Sequence, residues 1–276
     1  MKRITLILLL APFSLAAQED SRPWMARENR IGLSIGIGTH RFLDQNTSPL
    51  IYQSKPKNVR LFYQLESKDL VVTFDVDVKM GGLQPKNNPN RMLVFEEEDY
   101  KGKKETKKFP AGGSFLGAKV SLGAFYKIRS TQESTFKVAA GLSVTNELLY
   151  PQGWTSSGMM NALSFAPKAL VQHRINNSNK VTASMRLPVV ARVTRLPYHN
   201  SVSHPESGQV SGFFKNSQWT SLGHFLAPDL SIGYEYLFSS RWGTGLTYDL
   251  NWHNVTTENQ FKALSHYVRA NIYHQF

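Results

Sequence analysis

Residues 70–80, Leu-Val-Val-Thr-Phe-Asp-Val-Asp-Val-Lys-Met, alternate in hydropathy without a break from Val72 onward. Val72, Phe74, Val76, Val78 and Met80 share one face, and Thr73, Asp75, Asp77 and Lys79 share the other. Side chains along a strand point to opposite faces in turn, so this period predicts a strand with one apolar and one charged surface.

The same pattern recurs on both sides of this stretch. Ile31, Leu33, Ile35 and Ile37 stand opposite glycines and Ser34; Val59, Leu61, Tyr63 and Leu65 stand opposite Arg60, Gln64 and Glu66. Downstream, 116–128, 138–145, 163–174, 181–193, 229–236, 242–252 and 268–276 repeat it. Within 181–193, Val181 to Val193 in odd steps form the apolar face, with Ala191 among them, against Arg186 and Arg192.

Alternation also occurs in soluble sandwiches, whose sheets have one wet face. Three further features point elsewhere. These runs reach ten residues or more, whereas ordinary strands average about 5–6. Roughly ten residues, tilted near 45°, cross the apolar part of an outer membrane. Connections alternate short and long: Ser67-Lys68, Ser130 to Ser134, Asn176 to Asn179 and Ser239-Ser240 are short, whereas 43–57, 82–113, 150–158, 194–223 and 256–263 are long. Aromatic residues collect near run ends, among them Tyr126, Trp154, Tyr236, Trp242, Trp252 and Phe276, where amphipathic rings suit a lipid–water interface. The expected fold is all-β: a transmembrane antiparallel up-and-down barrel of about ten strands over 31–276. Eight or twelve stay open, because the first run is weak and a long loop can hide a hairpin.

The ending Val268-Arg269-Ala270-Asn271-Ile272-Tyr273-His274-Gln275-Phe276 resembles the C-terminal signature of bacterial outer-membrane β-barrel proteins. The resemblance implies an outer-membrane location, and recognition of Val268, Ala270, Ile272 and Phe276 by the barrel assembly machinery. His274 departs from it, standing where that family usually has an apolar or aromatic residue.

Residues 1–17 read as a signal peptide: Lys2 and Arg3, an apolar run to Leu15, then Ala16-Ala17. The run is too short for a spanning helix, which needs roughly 20 residues. The leader resembles those common in Bacteroidota. Residues 18–30 are expected to be a periplasmic N-terminal segment. The chain has no cysteine, which excludes a lipoprotein and a disulfide-stapled domain. A net charge of +12 suits anionic lipid and lipopolysaccharide phosphates; nucleic acid is excluded as a partner by export.

With the apolar faces toward lipid, the lumen receives bases such as Arg60, Lys79, Lys119, Lys137, Arg186, Arg192 and Arg269 and acids such as Glu66, Asp75, Asp77, Glu147, Asp229, Glu235 and Asp249. A barrel this small is nearly filled by side chains, so a general porin is excluded and a narrow pore is the most that conduction allows. Asp75 and Asp77, with Asp249 and His253, are the candidate catalytic set, each pair read near the outer end of its strand; paired carboxylates and an Asp–His couple can activate water. This is similar to the omptin proteases, but the chain has no Asp-x-His. Ser and His residues in 199–204 and Ser265-His266 are the material for a lipid-modifying reaction. No motif for a cofactor or metal is present: no Gly-rich phosphate loop, zinc spacing or nucleophile elbow. The outer loops are the better candidates for function. Glu96-Glu97-Glu98-Asp99 precedes a basic block at 101–108, able to pair with itself as a hairpin or to dock a charged partner. Phe213, Phe214 and Trp219 form a possible partner-binding loop. The expectation is a non-enzymatic barrel that binds through its outer loops, or a subunit with another outer-membrane protein; a rim-active hydrolase and a narrow pore are the alternatives.

Overall fold

A computed structural model of the chain describes residues 29–98, 100, 102–129, 135–153, 158–197, 204–257 and 259–276. The expected signal peptide, residues 18–28, Asp99, Lys101, the turn 130–134, Trp154, His199 and Ser201 lie outside the described residues.

In chain order the strands are β1 (Arg30–Asp44), β2 (Ser48–Ser54), β3 (Lys57–Glu66), β4 (Leu70–Pro85), β5 (Met92–Glu98), β6 (Lys104–Pro110), β7 (Gly113–Arg129) and β8 (Phe136–Gly153). They continue with β9 (Met160–Arg174), β10 (Asn179–Arg186), β11 (Val190–Arg195), the helix α1 (Gln209–Lys215), β12 (Gln218–Ser221), β13 (Phe225–Leu226), β14 (Asp229–Leu237), β15 (Trp242–Val255) and β16 (Phe261–Gln275). β2 with β3, β10 with β11, and β13 with β14 each make one broken stave, so the barrel is closed, antiparallel and ten-stranded. Arg30 already lies in the first stave, one residue ahead of the expected start.

Closure is made by β1 against β16, in unbroken register from Arg30 opposite Gln275 to Asp44 opposite Phe261. The pairing leaves neither strand with an open edge, as a lipid environment requires. Glycine makes the tight seam possible. A Cβ on Gly38 would lie 2.1 Å from the His266 carbonyl oxygen and 2.5 Å from the Tyr267 ring.

Two prolines interrupt the staves. Proline has no N–H for the ladder and belongs at edges or bulges. Pro56 separates β2 from β3, and Pro188 separates β10 from β11; both are fully buried. At Pro188 the alternation changes phase. Met185 is outward, yet Val189 and Val190 are both exposed, and Ala191 and Val193 turn inward at 0% and 3% exposure. Arg192 therefore faces outward. This corrects the sequence expectation for Ala191, Val193 and Arg192. An extra residue at a bulge flips every side chain beyond it.

Elsewhere the predicted faces hold. Ile35, Ile37, Leu122, Leu142, Leu246, Val268 and Ile272 form an exposed outward belt. Tyr126, Tyr236, Trp242 and Phe276 ring its turn-side end, and Trp252 lies toward the other. His274 joins this ring: its side chain sits 4.9 Å from Trp242, edge to face, and 6.1 Å from Phe276. An imidazole replaces the expected ring without breaking the girdle.

The staves are longer than a bilayer needs. β7 has 17 residues and β8 has 18, against about ten for the apolar core. With short turns at one end, the surplus stands beyond the belt at the other. The segments expected as long loops carry structure there. Ser48–Ser54 continues a stave, 92–110 is a two-stranded hairpin, and 209–221 folds as α1 and β12. Among the described residues no helix is long and apolar enough to cross a membrane.

Candidate functional site

The inward side chains form layers. Nearest the short turns, Glu66 accepts Lys127 at 2.6 Å and Lys137 at 2.5 Å, and Glu235 accepts Arg30 at 2.6 Å and Lys180 at 3.3 Å. At mid-height Asp229 holds Lys119 and Arg186, each at 2.7 Å, and accepts Asn251 at 2.9 Å. Arg269 bridges Asp77 at 3.4 Å and Asp249 at 3.2 Å. Lys79 lies between Asp77 at 3.9 Å and Glu147 at 3.6 Å. Desolvating these charges costs several kcal/mol per ion, offset only where every charge finds partners. Asp229, Asp77 and Glu147 meet that condition, each shared between two or more donors, whereas Asp249 meets Arg269.

Above the ions the lumen becomes apolar. Phe42, Leu83, Phe115, Leu149, Met160, Val193, Val255 and Phe261 point inward from different staves and pack together at 6% exposure or less. Phe42 lies 6.3 Å from Phe115 in a tilted arrangement and stacks 6.4 Å from Phe261. Arg195 and Asp44, at 2.5 Å, cap this layer on its outer side. Sequence reading missed it because alternation assigned apolar residues to lipid. The signal was adjacent apolar pairs, Phe42-Leu43, Phe115-Leu116 and Leu148-Leu149, which supply both faces at once.

The candidate catalytic residues all face inward, as expected, but not at an open rim. Asp75 pairs with Arg60, and Asp77 with Lys79, Arg269 and Asn58. Both acids sit at mid-height in β4 rather than near its outer end. Asp249 pairs with Arg269. His253 does not couple to Asp249; its Nε2 is 3.0 Å from Glu147. All four are at most 9% exposed and lie below the apolar layer.

A second polar pair emerges only from the fold. His40 Nδ1 lies 2.5 Å from the Ser265 hydroxyl, with the imidazole stacked 4.4 Å from Phe115. Both are buried, at 2% and 3% exposure. No group of three or more metal-binding side chains exists among the described residues.

The outer segments are more open. β5 and β6 pair only with each other, with Glu97 and Lys107 at 2.5 Å. That carboxylate, hydrogen-bonded to Lys107, holds the ammonium above its ordinary range. Met92, Val94, Phe95 and Tyr100 are exposed, Tyr100 at 91%. The expected patch at 213–219 divides. Phe213 is buried, whereas Phe214 and Trp219 are exposed, and Trp219 stacks 6.3 Å from Phe165 on the outward belt. Phe213 therefore anchors the segment instead of presenting it.

No family model matches the chain, and no curated protein matches it. Among solved structures it is similar to the outer membrane protease OmpT of Escherichia coli, with a TM-score of 0.55 and 7% identity, covering 95% of this chain and 100% of that one. It also aligns with the translocator domain of autotransporter NalP from Neisseria meningitidis (TM-score 0.42, 11% identity, 90% and 88% covered). A further alignment is with an outer membrane channel from Pseudomonas putida F1 (TM-score 0.42, 10% identity, 94% and 100% covered). At such identities the likeness is one of fold alone. The closed stave order and the exposed apolar belt, together with the fold shared with OmpT, make this chain a ten-stranded β-barrel of the outer membrane.

Proposed function

We propose that the protein is a non-enzymatic outer-membrane barrel that acts through its outer face, as a binding protein or as a subunit of an outer-membrane assembly. The β5–β6 hairpin carries this reading. Among the described residues it pairs with no other strand, so no neighbouring strand covers its edges. Such edges accept an added strand, with side-chain pockets giving selectivity. Its root is apolar at Met92, Val94 and Phe95, and its tip is charged at Glu96 to Glu98 and Lys103 to Lys108.

The lumen favours this reading over the alternatives. A rim hydrolase needs its acids at an accessible cleft, and Asp75, Asp77, Asp249 and His253 are each engaged below an apolar layer. A narrow pore needs a polar path through that layer. Lipid contacts fit the same picture: Arg41, Arg192 and Lys262 face outward near Trp252 and Trp219, where lipopolysaccharide phosphates would lie. Val268, Ala270, Ile272 and Phe276 all face outward in one row, open to the assembly machinery during insertion.

The test replaces residues 91–111 by a short Gly-Ser turn and purifies wild type and variant in mild detergent. Native mass spectrometry is expected to show a stoichiometric partner on the wild type that the variant lacks. A hydrolytic activity that disappears when Asp75, Asp77, Asp249 and His253 are replaced together would overturn the proposal.

A further inference from the structure

Beneath the hairpin root lies a cavity of about 150 Å³ between the barrel mouth and the hairpin. Its floor is Phe42, Tyr52 and Leu83, and the Phe42 and Tyr52 rings stack at 5.9 Å. Leu93 and Ala111 form the roof. The two legs of the hairpin are tied at this level by the Ala111 N–H donating to the Arg91 carbonyl at 2.7 Å.

Charge in the wall is uneven. Asp44 is neutralised by Arg195 at 2.5 Å, so it does not repel an anion. Arg91 lines the rim, is exposed, and its guanidinium makes no hydrogen bond or ion pair among the described residues. One cation thus stands at the edge of an aromatic-floored cavity. A cavity of about 150 Å³ has room for a benzene-sized ring. Binding sites in general combine apolar walls with a few placed polar groups.

We infer that this cavity binds a small carboxylate bearing one ring-sized apolar group, with the ring on Phe42 and Tyr52 and the carboxylate on Arg91. The inference rests on the outer face being a binding surface, and it names the chemistry that face selects. Two sources supply this chemistry: a free aromatic acid, and an aromatic residue at the C-terminus of a peptide. Guanidinium–carboxylate bonds are charge-assisted, and their loss costs roughly a tenfold change in affinity or more.

The experiment uses the full barrel in detergent with phenylacetate, an N-acetylated dipeptide ending in Phe, benzyl alcohol and acetate, followed by saturation-transfer NMR and calorimetry. Binding of phenylacetate or the dipeptide is expected, with benzyl alcohol and acetate at least tenfold weaker. Whichever of the two acids binds more tightly identifies the source. Arg91→Gln should weaken that acid about tenfold or more, and Ala111→Phe, which fills the cavity from the roof, should abolish binding with the barrel still folded. The inference is overturned if neither acid binds, or if both variants bind as wild type does. Loss of the protein partner on hairpin replacement, without binding of either acid, removes this inference and leaves the outer-face reading in place.

Discussion

Asp229 shows how single residues hold this lumen together. Its carboxylate collects Lys119, Arg186 and Asn251, three groups from three different staves. Removing one partner of a buried ion pair leaves an uncompensated charge, at about 3–5 kcal/mol. Asp229→Leu strands two cations, so its cost is expected at the upper end of that range. The heat-modified gel shift of the purified barrel measures it, and an unchanged transition temperature would show that Lys119 and Arg186 are solvated instead. The pairings themselves were not legible in the sequence. His253 lies four residues from Asp249 but finds Glu147, 106 positions away, because the lumen brings opposite staves together. Local spacing can name inward residues; it cannot choose among partners across a barrel.

Among the elements, the alternating runs were read with their correct faces wherever the ladder is regular. Val72 to Met80 is the plainest case, and the ten-stave count followed from such runs and the alternating turn lengths. The reading failed at Pro188, where a bulge moved Arg192 outward and Ala191 inward. Proline was visible there, but the direction of the shift depends on the neighbouring ladder. The hairpin at 92–110 was half visible, as an acidic block facing a basic one. Because the chain has no cysteine, single-cysteine labelling checks the bulge directly. Arg192→Cys is expected to react rapidly with a soluble maleimide in detergent, and Ala191→Cys to be protected until the barrel unfolds. Equal labelling would restore an unbroken alternation through β10 and β11.

At the scale of the whole molecule, the layers divide the lumen into an ionic lower part and an apolar upper part. Ions entering from either end would have to cross a level walled by Phe42, Phe115, Leu149, Val255 and Phe261. Such constrictions resist wetting and stop conduction. Planar-bilayer recordings of the purified barrel are expected to show no steady porin-like steps, and Phe115→Ala with Phe261→Ala to raise the rate of brief openings. Large, stable currents from the wild type would contradict the described packing.

The sequence separations of the ion pairs bear on how the barrel comes into being. Arg30 meets Glu235, Asp77 meets Arg269, and Asp44 meets Arg195, linking positions 205, 192 and 151 residues apart. None of these contacts exists in a half-curled sheet, where the same charges would face lipid or an open trough. These three pairs therefore form only as the ring closes, whereas Arg186–Asp229 and Lys180–Glu235 join neighbouring staves. A chain lacking β14 to β16 leaves Arg30 without Glu235 and Asp77 without Arg269. The long-range pairs of the lumen thus weigh in favour of the closed ring over an open sheet.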